Sequence, residues 1–317
     1  MHLIVPFAAP LADAPRAAPS SLATPALDRL LAQWTEVGRD DGDEDRLSMP
    51  HERALAAALG WTATDGCLPW AARQAQADGV DVSDQAWGLL TPVHCRVGSD
   101  GVHLADPDAL ALTDTDSREL FDAVQPLLAG AGYRVAWGAA LRWYLAHPGL
   151  QGLATASLDR VIGRNVDAWL PRQPEARPLR RLQNEVQMLL HADPRNAARE
   201  ARGALPVNSF WLSGCGRRQP ERSAEIRFDE RLRGPALRAD ASAWRDAWQA
   251  LDSDTIAALL ARAERGEAVR LTLCGQRSCV ELAPPRRRWW RGLANALLPP
   301  RSRVQALLES RGATPRP

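Results

Sequence analysis

Lysine is missing from this chain. All 39 basic residues are arginine, set against 38 carboxylates for a net charge of +1. The absence excludes Schiff-base catalysis and a P-loop phosphate site, both of which need a lysine amine. Cysteine is scarce: Cys67, Cys95, Cys215, Cys274 and Cys279 are odd in number and show no C-x-x-C spacing. Such usage argues against a disulfide framework or a structural zinc site and for a reducing compartment, so the chain reads as cytoplasmic. No apolar run approaches the length of a membrane span. The apolar start, Met1 to Phe7, lacks a basic leader and meets prolines, so it reads as a buried strand over residues 3–5 and not as a signal peptide. There is no G-x-S-x-G, and no pair among His51, His94, His103, His147 and His191 has metal-ligand spacing.

What is present suits one large or two modest domains, with 317 residues and 45% hydrophobic content to build a core. Thr24-Pro25 opens a helix, with Thr24 as its cap and Leu27, Leu30, Leu31 and Trp34 on one apolar face. A second helix runs from Ser48-Met49-Pro50 to Gly60. Further helices are expected over 116–129, kinked or shortened by Pro126, and over 179–191, 241–251 and 254–264. Strands are expected over 86–97, 102–104, 133–137, 208–212 and 269–273. Residues 61–80 read as loop-rich and 217–240 as a polar linker. Trp61, Trp70 and Trp87 lack helical core spacing and read either as core filling or as a pocket lining. Strands alternating with helices point to the α/β class. The acidic run 40–45 places Asp41, Asp43, Asp45 and Glu52 at calcium-loop positions, but Arg46 replaces the required glycine and Pro50 intrudes. A solvated loop is the better reading.

Special residue types crowd together over 193–216. Arg195, Arg199 and Arg202 precede a strand that begins at Asn208 and runs into Gly214-Cys215-Gly216. Glycines let backbone N–H groups approach a ligand and guanidiniums suit an anion, so the stretch reads as an anion cradle. From the residues alone, a strand ending in a tight turn with arginines on a solvated face is the simpler reading. Cys215 has no histidine near it in sequence and reads as a buried, inert thiol. Arg286-Arg287-Arg288-Trp289-Trp290-Arg291 mixes guanidiniums with indoles, a composition for nucleic acid or a membrane surface that a solvated tail explains more simply.

Four collinear segments resemble the archaeal-type, cofactor-independent phosphoglycerate mutases of the alkaline-phosphatase-like superfamily. They are Thr24 to Leu30, residues 84–112 with Gly98 to Asp106, Thr155 to Gly163, and Asp193 to Asn196 with Arg199 and Asn208 to Gly216. End to end, and including Leu271-Thr272-Leu273-Cys274-Gly275, the chain is similar to the smaller RpfE-type bacterial regulatory proteins. The resemblance implies an α/β fold: an alkaline-phosphatase-like mixed sheet flanked by helices, with an inserted smaller α/β substrate-side subdomain. Residues 1–60 and 179–283 would form the core, 61–178 the insertion and 284–317 a basic Arg/Trp tail.

Such enzymes hold two metals on aspartates and histidines beside a Ser or Thr nucleophile. Here the first strand ends Pro6-Phe7-Ala8-Ala9 with no carboxylate before Asp13, and the strand near the C-terminus ends Cys274-Gly275-Gln276-Arg277. Leu158 and Asp193 stand where the resemblance implies histidines. The expectation is therefore a non-catalytic regulatory or ligand-binding relative, with no cofactor, metal ligand or catalytic residue. Its pocket would use Asn208, Trp211, Gly214 and Gly216, with Arg160, Arg164, Arg195, Asn196, Arg199 and Arg202 meeting a small phosphorylated anion. Two alternatives stay open: a metal-dependent phosphomutase or phosphatase with rearranged ligands, and an interaction protein that meets a protein partner through its tail.

Overall fold

The computed structural model describes residues 1–9 and 22–285. The basic cluster 286–291 and Asp13 lie outside them. In chain order the elements begin with β1 (His2–Val5), α1 (Pro25–Gln33), β2 (Thr35–Asp40), α2 (Pro50–Leu59) and α3 (Trp70–Ala77). Next come β3 (Ala86–Val93), β4 (Cys95–Gly98), β5 (Gly101–Leu104), α4 (Asp114–Gly130), β6 (Arg134–Ala139) and β7 (Arg142–Ala146). Then follow α5 (Leu158–Val161), α6 (Arg177–His191), α7 (Pro194–Ala201), β8 (Ser209–Arg217) and β9 (Ile226–Phe228). The last are α8 (Arg233–Leu237), α9 (Ala241–Leu251), α10 (Ala257–Glu264), β10 (Arg270–Cys274) and β11 (Cys279–Ala283). Sequence reading missed β2, α3, β7, α5, α7, β9, α8 and β11, most of which are short.

Contacts divide the chain into two compact units. The first comprises the described residues within 1–45, 49–60 and 221–285. Its mixed sheet has the order β2-β11-β10-β1-β9, with β1 parallel to β10 and β9, and β11 antiparallel to β10 and β2. Alternation in β1 explains the layers. Leu3 and Val5 join Leu271 and Leu273 in a core with Leu27 and Leu30 of α1, Trp248 of α9 and Leu259 of α10. Ile4 faces the other way, with Cys274, Cys279 and Leu55 of α2. The sheet flanked by helices agrees with the expected mixed α/β class.

The expected cap of α1 is not the observed one. Thr24 makes no side-chain cap on α1. The carboxylate of buried Asp252 takes that role, accepting from Ala26 N at 3.1 Å and Leu27 N at 2.7 Å. Asp252 opens a π-helical turn, Asp252–Ile256, that joins α9 to α10, and a cap from across the fold cannot be read from neighbouring residues.

The second unit, residues 46–48 and 61–220, is built on the antiparallel sheet β6-β7-β3-β8 with the ribbon β4-β5. Helices α4 and α6 cover one face through Leu120, Phe121, Val124, Leu179, Leu182 and Val186. Ala71, Ala72 and Ala75 of α3 cover the other, against Trp87 and Tyr144. The inserted unit thus extends to 220, and not to 178 as expected. Strand β8 hydrogen-bonds to β3 and α6 packs beside it, so 179–220 cannot belong to the first sheet. Pro126 does not shorten α4, which runs 17 residues. Pro126 and Asp122, whose carbonyl the proline leaves without its helical donor, are both exposed. Trp87 is fully buried and donates to Val82 O at 2.8 Å, and Trp61 packs on Trp70 with ring centroids 4.6 Å apart. Core filling accounts for Trp87, while Trp61 and Trp70 pack on one another.

Asp78, just after α3, binds this unit's helix layer to β7. It accepts from Arg142 Nε at 2.8 Å, Arg142 Nη2 at 3.0 Å and the Tyr144 hydroxyl at 2.6 Å. Burial pushes its pKa up, but the bonds from Arg142 and Tyr144 together outweigh that and hold it below the usual carboxylate range. The unfolded chain then binds the proton more readily. The stabilisation is present above the ordinary Asp pKa of about 4 and is lost as pH falls through the depressed folded value. Asp78→Asn is expected to cost about 1–3 kcal/mol at neutral pH and to flatten the acid limb of a urea-denaturation series; an unchanged acid limb would refute this account.

Candidate functional site

The residues from 193 to 208 are wired into the protein. Asp193 caps α7, accepting from Arg195 N at 2.9 Å, and its carboxylate holds the Arg195 guanidinium at 2.8 and 2.7 Å. The Arg195 hydrogen bond comes first among the causes that lower the Asp193 pKa. Arg195 also donates to Glu119 O at 2.7 Å. Buried Asn196 donates to Leu190 O at 2.8 Å and Val207 O at 2.7 Å, and accepts from Val207 N at 2.9 Å. It thereby closes the turn from α6 through α7 to β8.

Arg199 is 2% exposed and donates to Leu205 O at 3.1 Å, to Asp116 Oδ2 at 3.1 Å and to Leu110 O. Arg202, exposed, reaches the same Asp116 oxygen at 3.0 Å. Asn208 forms a two-bond ring with Cys95, donating to its O and accepting from its N, both at 2.8 Å. These side chains are gathered along one stretch, and the bonds they make run to protein groups.

The glycines have a steric origin. Strand β8 pairs Leu89 with Ser213 and Trp87 with Gly216, so Gly214 and Cys215 together oppose Gly88. This is a β-bulge, with Gly214 in the left-handed region at φ 65°. The bulge shifts side-chain parity, so Phe210 and Cys215 join one core despite their odd spacing. A Cβ on Gly214 would meet Ala71 N at 2.9 Å, and one on Gly216 would meet Pro69 Cβ at 3.2 Å. Helix α3 therefore approaches β8 too closely for side chains. Cys215 is fully buried and its thiol is pushed up to about 12 by burial, which suits the expected inert residue.

Three predicted residues lie elsewhere in the unit. Arg160 is 1% exposed and donates to Ser48 O at 3.5 Å. The guanidiniums of Arg160 and Arg164 sit 5.9 and 6.0 Å from the Trp169 ring centroid, a pair of cation–π contacts. Trp211 donates to Ala156 O at 2.9 Å and lines a shallow, open cleft. Leu170 and Pro171 line it on one side, Leu179, Arg180 and Gln183 of α6 on another, and Phe210 and Leu212 beside Trp211. Arg180 donates to Pro171 O at 3.2 Å, and Gln183 donates to Phe210 O at 2.9 Å. The sequence reading missed Arg180 and Gln183. Their signal was the helical spacing of Ala176, Leu179, Arg180 and Gln183, which puts all four on one face.

In the first unit, the carboxyl ends of the parallel strands are where an open α/β sheet takes ligands. There Phe7 follows β1, 1% exposed and at φ 54°. Its carbonyl accepts from Trp244 Nε1 at 3.1 Å, and Ala8 N donates to Cys274 O at 2.8 Å. Its ring packs 5.5 Å from His51, whose ring lies 5.9 Å from Phe228. Asp229 after β9 is buried; it accepts from Arg231 at 2.9 and 2.7 Å, and Arg227 lies 3.9 Å away. Burial raises its pKa, yet the Arg231 bonds outweigh this and the net direction is down. Among the described residues no three His, Cys, Asp or Glu side chains converge. An aromatic plug and carboxylates already held by arginines, Asp229 by Arg231 and Asp40 by Arg53, do not fit the donor set of a two-metal centre.

No family model matches the chain. Over 113 residues, 35% of this chain, it is 26% identical to a probable 2,3-bisphosphoglycerate-independent phosphoglycerate mutase of Geobacter sulfurreducens. The match spans only 28% of that relative's length. The chain is distantly similar to phosphoglycerate-mutase-like proteins. Among solved structures, a cofactor-independent phosphoglycerate mutase from Thermoplasma acidophilum aligns with TM-score 0.37 and 15% identity, over 89% of each chain. The PH0037 protein from Pyrococcus horikoshii aligns with TM-score 0.46 and 12% identity, over 90% of this chain and 88% of that one.

Three substitutions distinguish wiring from ligand binding. Asn196→Ala leaves buried backbone groups unpaired and is expected to lower stability by about 3 kcal/mol in urea denaturation; a fully stable variant would return Asn196 to a surface role. Gly214→Ala combines left-handed strain with a clash against α3 and should cost about 2 kcal/mol or more. Gly203→Ala, at φ 76° with no atom near its new Cβ, should cost about 1 kcal/mol. Equal losses at the two glycines would remove the close-approach argument.

Proposed function

We propose that this protein is a phosphoglycerate-mutase-like regulatory protein that binds a small anionic ligand and carries no two-metal phosphoryl transfer. The observation that supports the reading is the end of β1, where Phe7 and its partners occupy ground that a metal centre would need. A two-metal mechanism requires side-chain oxygens or imidazoles there to lower the pKa of a nucleophile and neutralise the phosphoryl group. The ligand half of the proposal places an anionic group at Arg180, on the rim of the Trp211 cleft, and an apolar part on the floor made by Phe210, Trp211 and Leu212. A guanidinium on an apolar wall is a suitable carboxylate or phosphate contact. The regulatory role follows the likeness to RpfE-type proteins and belongs to this proposal.

The test is metal analysis of the purified full chain, with a mutase assay on 3-phosphoglycerate with and without Mn²⁺. The expected result is no stoichiometric metal and no formation of 2-phosphoglycerate above background. Metal-dependent turnover that chelation abolishes would overturn the proposal and establish a phosphomutase with rearranged ligands. A thermal-shift series with 3-phosphoglycerate reads the ligand half separately. A rise in Tm that Arg180→Met removes supports it, and no rise for the wild type discards this ligand class.

A further inference from the structure

The two cysteines that close the β10–β11 hairpin face one another across the strands. Their register pairs Cys274 directly with Cys279, and the next pair in is Leu273 with Val280. At the hairpin end, Gly275 N donates to Ser278 O at 2.9 Å. Gly275 and Ser278 are therefore a hydrogen-bonded pair. In an antiparallel ladder such pairs alternate with non-hydrogen-bonded ones, so Cys274 and Cys279 form the latter kind. In that arrangement the Cα atoms lie about 4.5 Å apart and side chains approach most closely. A disulfide spans Cα separations from about 4.4 Å upward. Both side chains point to the α2 face, packed with Ile4 against Leu55 and Ala58.

We propose that Cys274 and Cys279 are a redox-active dithiol that exchanges with small disulfides to form a cross-strand bridge. The inference stands on strand register and is independent of the phosphoglycerate-mutase likeness. A bridge closing so short a hairpin removes little unfolded-state entropy, so stabilisation is not its purpose. Its position gives it a consequence. The Cys274 carbonyl holds Ala8 N, and Ala8 follows the strained Phe7 at the end of β1. On the other side, Cys279 pairs with Asp40, whose carboxylate holds Arg53 at 2.6 Å, and Arg53 donates to Arg277 O at 3.1 Å in the hairpin loop. Oxidation thus acts at the sheet edge where α/β folds take ligands.

The roles of the two thiols differ. The facing Cys274 thiol is the leading cause that holds the Cys279 pKa down. Burial first, and then the facing Cys279, push Cys274 well up. Cys279 is also the one with some exposure, 6% against 0%. It is the attacking thiolate. It attacks one sulfur of R–S–S–R, forms the mixed disulfide and releases R–S⁻, which takes up the proton that Cys279 lost. The Cys274 sulfur then attacks the Cys279 sulfur, the second R–S⁻ leaves, and it takes the Cys274 proton. Two protein thiols are oxidised to one disulfide while R–S–S–R is reduced to two R–SH.

The test equilibrates the full chain in glutathione buffers of graded ratio. Intact mass and peptide mapping after alkylation are the readouts, with circular dichroism to confirm folding. The expected product is a reversible 274–279 bridge, seen as a mass loss of about 2 Da for two hydrogens. Cys274→Ser should stop at glutathione on Cys279, whereas Cys279→Ser should leave Cys274 unmodified. The idea is overturned if folded wild-type protein keeps both thiols free in fully oxidised glutathione. It is equally overturned if either cysteine pairs with Cys67, Cys95 or Cys215, or if the two serine variants exchange their outcomes.

Discussion

The second unit depends on one buried cation. The guanidinium of Arg199 joins the carbonyls of Leu110 and Leu205 to the carboxylate of Asp116, drawing together segments far apart in the chain. A buried charge is tolerated only where its donors are met, and here they are met by groups that would otherwise lie unsatisfied at turns. Burial is the leading cause that lowers the Arg199 pKa, with the Asp116 charge opposing it. Arginine suits this use better than lysine would, because a planar fork reaches several fixed acceptors at once. In a chain without lysine, internal wiring and surface charge both fall to arginine. That makes arginine content a weak guide to anion binding in this protein.

The same logic separates the two places where chemistry was sought. In the stretch from Asp193 to Gly216, residues that resemble a phosphate cradle meet carbonyls, amides and carboxylates of their own unit. The glycines accommodate a helix, and the amides close turns. At the carboxyl edge of the first sheet, Phe7, His51 and Phe228 stack where polar ligands would be needed. What remains chemically distinctive is modest: an apolar cleft with Arg180 on its rim, and a facing pair of thiols.

Much of the fold was legible in the sequence because it rests on local periodicity. The apolar faces of α1, α6, α9 and α10, the buried β1 and the alternating β10 were all readable from spacing alone. Short elements were not. Strand β9 has three residues and α8 five, too few for a period to show. Helix α3 was hidden because its buried face is alanine, a residue with little hydrophobic signal. The site was legible only as a concentration of residue types. Arg195, Asn196, Arg199 and Asn208 stood out by residue type, but their partners, such as Glu119, Asp116 and Cys95, lie far away in sequence.

Sequence alone therefore determined the α/β class, the missing lysine chemistry and the lack of side-chain donors directly after β1, because each is a matter of residue identity and short-range order. Tertiary structure decided the rest. It placed 179–220 in the inserted unit, since β8 finds its hydrogen bonds on β3. It assigned the Asp252 carboxylate to the start of α1 and turned Gly214 and Cys215 into a bulge. It also set Cys274 against Cys279, because strand register, which no local pattern encodes, determines which side chains meet.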